Sequence, residues 1–245
     1  MNATIKSEKK HFPVLINELI NIISPLYGGT FVDCTFGNGG YSKEILKHPK
    51  NKVIAIDRDT DVYKISNILK SKYKNRFNFQ NLKFSQIDEI SKQSSNLKGI
   101  IFDLGYSLNQ MQNYSRGFSF KSNSKLNMTM GLNTFTAYDV INKLKFEELS
   151  NIIKYFGDED KAKLISKKII QNRSIKEIDT QELVSIINKI KKFRKNKIHN
   201  ATKTFQAIRI FVNNEISELI YGLINSFKIL PVGGVIVVVT FHSLE

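Results

Sequence analysis

Four short β-type runs, Thr30–Cys34, Lys52–Asp57, Phe77–Phe79 and Gly99–Asp103, follow one another with helical stretches between them, and a fifth, Val235–Thr240, lies near the C-terminus. Apolar strands alternating with helices predict an α/β fold, a parallel sheet covered by helices on both faces. Right-handed crossovers then bring the carboxyl ends of all strands to one edge, where ligands of such sheets bind.

Between Tyr106 and Asn200 the pattern is helical alone. Amphipathic runs cover Phe146–Phe156 and Lys161–Asn172, and capping-box signals at Ser174–Glu177 and Asp179–Glu182 predict helix starts. This stretch reads as an inserted helical subdomain. After it, Phe205, Ile208, Val212, Ile216, Leu219, Leu223 and Phe227 keep steps of three and four, predicting one long helix ended by Pro231 and Gly233-Gly234.

The first strand runs into Asp33-Cys34-Thr35-Phe36-Gly37-Asn38-Gly39-Gly40. Glycines there let the backbone turn sharply and approach a ligand, and the helix that follows offers unpaired N–H groups to a carboxylate or phosphate. Asp57 ends the second strand, 24 residues beyond Asp33, where a carboxylate can accept hydrogen bonds from the ribose hydroxyls of an adenosine. A nicotinamide fingerprint shares these features, but Ser42 stands where its third glycine would fall, which favours S-adenosylmethionine. Asp103 closes the fourth strand, placed to hold the donor's amino group or to orient an acceptor amine.

Charge points to the partner. The 245 residues carry 37 Lys and Arg against 22 Asp and Glu, a net charge of +15, which favours a polyanion through counterion release. Six basic residues crowd Lys189–Lys197, while abundant Lys, Asn and Ile along the whole chain are also what an AT-biased genome produces. One cysteine, Cys34, excludes an internal disulfide, and His11, His48, His199 and His242 show no metal-ligand spacing. Met1–Lys10 is polar and basic with no signal segment, and the apolar run Val235–Val239 is too short to span a bilayer, so a cytoplasmic, membrane-free location is expected.

His11-x-Pro13-Val14-Leu15, Asp33-x-Thr35-Phe36-Gly37-x-Gly39-Gly40, Asp103-Leu104-Gly105-x-Ser107, Arg116-Gly117-Phe118-Ser119-Phe120, Ala201–Asn213 and Phe241-His242-Ser243-Leu244-Glu245 occur in order along the chain. Together they resemble the ribosomal RNA small-subunit methyltransferase H family. The resemblance implies a Rossmann-like class I methyltransferase domain over 1–110 and 200–245, with a helical substrate-recognition insert over 111–199. It implies S-adenosylmethionine-dependent N4-methylation of a cytidine in the decoding region of 16S rRNA, within the small ribosomal subunit. Carried over by position, the donor site falls on Gly39, Gly40, Tyr41, Asp57, Phe84, Asp103 and Gln110. Asp103 is the expected catalytic residue, and Arg116, Phe118, Phe120, Lys203, Arg209 and His242 are the candidate substrate contacts. Gln206, Arg209 and Asn213 share a polar stripe suited to RNA, to anchoring loops, or simply to solvent.

Several positions depart from the family pattern. Tyr41 replaces a frequent histidine, Leu108 a serine and Gln112 an aspartate, while Asn127 and Thr129 stand for an acid and an arginine, and Asn200 and Lys203 for proline and arginine. The family pattern also continues past Phe241–Glu245, so the last strands of the sheet are expected to be missing. Two other readings stay open: an RNA-binding or ribosome-assembly relative that has lost the reaction, and a nicotinamide-dependent oxidoreductase.

Overall fold

The computed structural model describes residues 13–93, 96–191 and 198–244. His11, Glu245 and all but the first three residues of the basic run Lys189–Lys197 lie outside the described residues. The chain divides into two compact units, the first formed by residues 1–104 and 222–239, the second by 105–221 and 240–245.

The first unit holds five parallel strands, β1 (Gly29–Asp33), β2 (Asn51–Ile56), β3 (Phe77–Gln80), β4 (Leu97–Asp103) and β5 (Val235–Val239), in the order β3-β2-β1-β4-β5. The strands fall where the apolar runs predict them. Burial follows the order: every residue of β1 is buried, β2 is buried except at Lys52, β4 is buried except at Lys98 and the half-buried Asp103, and the flanking β3 and β5 are mostly half-buried. A strand covered on both faces is apolar at successive positions, so the central strands read as continuous runs. Helices α1 (Ile16–Ile23), α2 (Gly40–Ile45) and α3 (Tyr63–Tyr73) belong to this unit, with Leu19, Phe31, Ile45, Val53, Leu69 and Phe77 in its core. The chain order reverses at β1, whose neighbours are β2 and β4, and the crevice at such a reversal is where open α/β sheets take ligands.

The second unit is helical: α4 (Leu108–Gln112), α5 (Ala137–Lys143), α6 (Phe146–Gly157), α7 (Ala162–Arg173), α8 (Thr180–Ile190) and α9 (Thr202–Asn213). Its core gathers Leu126, Val140, Leu149, Ile153, Ile165, Leu183, Ile187 and Ile208. α8 starts as predicted, with the Asp179 carboxylate accepting the Glu182 N–H at 2.8 Å. The expected start at Ser174 is a correction: Ser174 ends α7, and its hydroxyl donates to the Gln171 carbonyl instead of capping a new helix.

A second correction concerns the long C-terminal helix. It is two helices, α9 and α10 (Glu215–Ile229), separated by Asn214 in the left-handed conformation at φ 51°. Asparagine tolerates that conformation better than other side chains, and the Asn214 N–H closes α9 on the carbonyls of Ile210 and Phe211. The apolar period survives the break, so periodicity alone did not reveal it. Among the described residues no helix is long and apolar enough to cross a membrane.

Candidate active site

After Asp33 the chain turns and enters α2 at Gly40. Gly37 and Gly39 take positive φ of 49° and 68°, and a Cβ on Gly39 would stand 2.7 Å from the Phe36 ring. On Gly40 it would collide with the ring of Pro13, which lies against the turn. A side chain at Gly39 or Gly40 would clash, and at Gly37 the left-handed backbone disfavours one.

Three aspartates at the carboxyl edge of the sheet clasp this turn. Asp33 is fully buried, and its Oδ2 accepts the Ser42 hydroxyl at 2.6 Å. Asp57, just past β2, accepts the Gly37 N–H on Oδ2 at 2.8 Å and the Asp59 N–H on Oδ1 at 2.9 Å. Asp103, the last residue of β4, donates its backbone N–H to Thr35 Oγ1 at 2.7 Å. The Tyr41 hydroxyl, close to the same turn, donates to the Val14 carbonyl at 2.6 Å, and burial first, then the charges of Asp103 and Asp33, hold its phenol well above the usual tyrosine range.

Burial raises the carboxyls of Asp33 and Asp57 to about 6, against the lowering effect of the hydrogen bonds they accept. Asp57 therefore already holds two backbone N–H groups. A carboxylate has about four acceptor positions, so the pair of hydroxyls on a ribose still suits it. Ser42, at the place of a third glycine, is buried with its hydroxyl bonded to Asp33, so a serine rather than a hydrogen fills the close packing behind the turn. Phe84 opens a 3-10 segment, Phe84–Gln93, and its ring meets Phe102 edge-on at 5.5 Å. A Cβ on Gly222 would come within 3.0 Å of the Phe84 ring, so α10 packs closely against it.

In the second unit Gln110 is buried in the capping box of α4, its Oε1 accepting the Ser107 N–H at 2.8 Å. Arg116 donates to the Thr129 carbonyl at 2.6 Å and lies over the Phe118 ring at 5.5 Å. Phe118 belongs to the helical core, while Phe120 packs on Phe205 and stacks on His199 with centroids 4.4 Å apart. Lys203 bonds the carbonyl and carboxylate of Asp158, and His242 Nδ1 accepts the Leu244 N–H.

The stripe of Gln206, Arg209 and Asn213 is not a solvated face. Asn213 is fully buried and bonds the Met130 N–H and the Met128 carbonyl, both at 2.7 Å. Arg209 is buried on Glu215 and lies over the Tyr106 ring at 5.2 Å. The departures Asn127 and Thr129 are bonded to each other, Thr129 N–H and Oγ1 both donating to Asn127 Oδ1. Sequence reasoning missed the roles of Thr35, Glu215 and the Tyr41 hydroxyl. Only Thr35 carried a signal, its place inside the glycine turn.

The parallel sheet in this order, with a glycine turn after β1, defines a class I methyltransferase α/β fold. The chain belongs to the MraW methylase family, which it matches over residues 8–245. It is 41% identical over 240 residues to the Ribosomal RNA small subunit methyltransferase H of Orientia tsutsugamushi (strain Boryong), covering 96% of this chain and 77% of that protein. The protein of the same name in Rickettsia bellii (strain OSU 85-389) is 41% identical over 239 residues, covering 97% of this chain and 78% of that one.

Proposed function

We propose that this chain methylates the N4 amine of a cytidine in the decoding region of 16S rRNA, in the small ribosomal subunit, using S-adenosylmethionine. The observation that carries the reading is the clasp of Asp57 and Asp103 on one glycine turn, which brings an adenosine-type acceptor and an amine-orienting carboxylate to the same edge of the sheet. The names of the relatives support the substrate, and a net charge of +15 suits an RNA partner.

Bound S-adenosylmethionine supplies an electrophilic methyl group on a positively charged sulfur. Asp57 would accept hydrogen bonds from the ribose hydroxyls, Phe84 would serve the adenine, and the backbone of Gly39–Tyr41 would receive the donor's polar end. The cytosine amine is a poor nucleophile because its lone pair is delocalised into the ring, so alignment is the main task, and positioning of this kind is worth about 7 to 11 kcal/mol. Asp103 accepts a hydrogen bond from the amine and receives the proton that the nitrogen loses as the methyl arrives, then passes it to water. A strong base is not required. The target base leaves its stack to reach the site, at a cost of a few kcal/mol. Arg116, Phe118, Phe120, Lys203, Arg209 and His242 serve RNA through the surface they shape, since Phe118 and Arg209 are themselves buried.

The test is transfer of label from S-adenosylmethionine to unmethylated small subunits, with digestion to nucleosides, comparing the unmodified chain with Asp103→Ala. N4-methylcytidine made by the unmodified chain and lost in the variant is the expected outcome. Donor binding with no transfer by either chain would overturn it in favour of an RNA-binding relative without activity, a reading motivated by Asn127 and Thr129.

A further inference from the structure

Asp57, the proposed ribose acceptor, lies one residue past the end of β2, where the sheet stops holding the chain. The ladder between β2 and β3 closes at the pair Ile56 and Gln80, and the Asp57 N–H still reaches the Gln80 carbonyl at 3.3 Å. β3 ends at Gln80, so the ladder offers no backbone N–H to the Asp57 carbonyl. The side chain of Asn81 does so instead, its Nδ2 donating to that carbonyl at 2.8 Å from 24 residues away in the chain. An asparagine amide carries the same kind of donor as a peptide N–H, so it stands in for one more rung.

That bond fixes more than the end of a strand. The Asp57 carbonyl and the Arg58 N–H share one rigid plane, so holding the carbonyl sets how the chain turns after Asp57. The turn brings the Asp59 N–H round to Asp57 Oδ1 at 2.9 Å, while the Gly37 N–H, from the glycine turn, donates to Oδ2 at 2.8 Å. The terminal torsion of an aspartate is soft and nearly two-fold, and these two N–H groups set it. One of them is in place only while the peptide that follows Asp57 is held. Asn81 is half-buried, so its amide is partly withdrawn from the water that would compete for it.

We propose that Asn81 is a positioning residue of the donor site, its side-chain amide holding the peptide after Asp57 so that the carboxylate faces the ribose hydroxyls. The inference rests on the donor reading above, and Asn81 acts through Asp57 rather than on the donor. Asn81→Leu keeps the bulk of the side chain without its N–H groups, and Asn81→Ala removes both, so the two together separate the hydrogen bond from the packing.

Dissociation constants for S-adenosylmethionine are measured by calorimetry for the unmodified chain, Asn81→Ala, Asn81→Leu, Asp57→Ala, and each Asn81 change in the Asp57→Ala background, with thermal unfolding in parallel to show which variants fold. Both Asn81 variants are expected to bind about fivefold more weakly than the unmodified chain, the scale of one hydrogen bond. In the Asp57→Ala background either change is expected to alter affinity by less than about twofold, because a residue that acts through another loses its effect once that one is removed. Asn81→Leu binding as tightly as the unmodified chain overturns the inference alone. So does a loss that recurs in full in the Asp57→Ala background, since it marks a merely structural side chain. The same criteria apply to both substitutions, so if one fails to fold the other decides. If the unmodified chain does not bind S-adenosylmethionine, the donor reading fails and this inference falls with it.

Discussion

Arg209 and Glu215 form a bidentate ion pair across the helix break at Asn214, with Nε and Nη2 of the arginine each 2.9 Å from a carboxylate oxygen. On a straight helix, residues six apart do not face each other; neighbours lie three and four apart. The left-handed Asn214 redirects the chain between them and allows the pair to close. Both side chains are about nine-tenths buried, and the guanidinium also lies over Tyr106.

Removing one member of this pair leaves a buried charge without its partner, which typically costs about 3–5 kcal/mol. Glu215→Ala is expected to destabilise the helical unit by an amount near the lower end of that range. Replacing both residues together is expected to cost less than the sum of the single changes. Urea denaturation of the two single variants and the double variant measures the difference, and additive losses would show that the pair is energetically uncoupled.

The same break makes a prediction about Asn214. A β-branched residue there meets the full steric cost of a left-handed backbone, so Asn214→Val should lose about 1–2 kcal/mol. Asn214→Gly should be close to neutral, because glycine adopts that conformation without a clash. Thermal unfolding of the two variants gives the comparison; equal effects would mean that the side chain of Asn214, not its backbone conformation, is what matters.

Asp33 and Asp57 predict an unusual dependence of stability on pH. With folded values raised to about 6 from 3.8, the folded chain holds protons that the unfolded chain releases between about pH 4 and 6. Stability from these two groups therefore rises as pH falls from 7 to 5. Asp139 acts in the opposite sense but outside this window: the hydrogen bonds from Lys143 and Thr136 hold it at about 2, and its contribution is lost only in stronger acid. Asp33→Asn should flatten the change in urea midpoint between pH 7 and pH 5. A slope unchanged by the substitution would place the ionised form of Asp33 in the folded state at both pH values.

Protonation of Asp57 also weakens it as an acceptor for ribose hydroxyls. Donor affinity is expected to fall below about pH 6, and Asp57→Ala should weaken donor binding by about tenfold, the loss of a charged hydrogen bond. Calorimetric titration with S-adenosylmethionine at pH 5 and pH 7.5 tests both. Affinity independent of pH in the unmodified chain would remove Asp57 from the donor site.

The sequence alone determined the sheet, because a strand buried on both faces must be apolar at successive positions and β1, β2 and β4 are written that way. It also determined the glycine turn and the aspartates at the strand ends, whose place depends on local spacing. Tertiary structure alone decided what those groups hold. Thr35 meets the backbone of Asp103, 68 residues away, because the sheet order sets β4 beside β1, and no local pattern records that order. The break at Asn214 was hidden for a related reason: the apolar period continues through it, and the signal for the break is the burial of Arg209 against Glu215. Periodicity reports which side of an element faces a core, whereas the choice of a buried polar group's partner depends on which distant segment the fold brings within hydrogen-bonding reach.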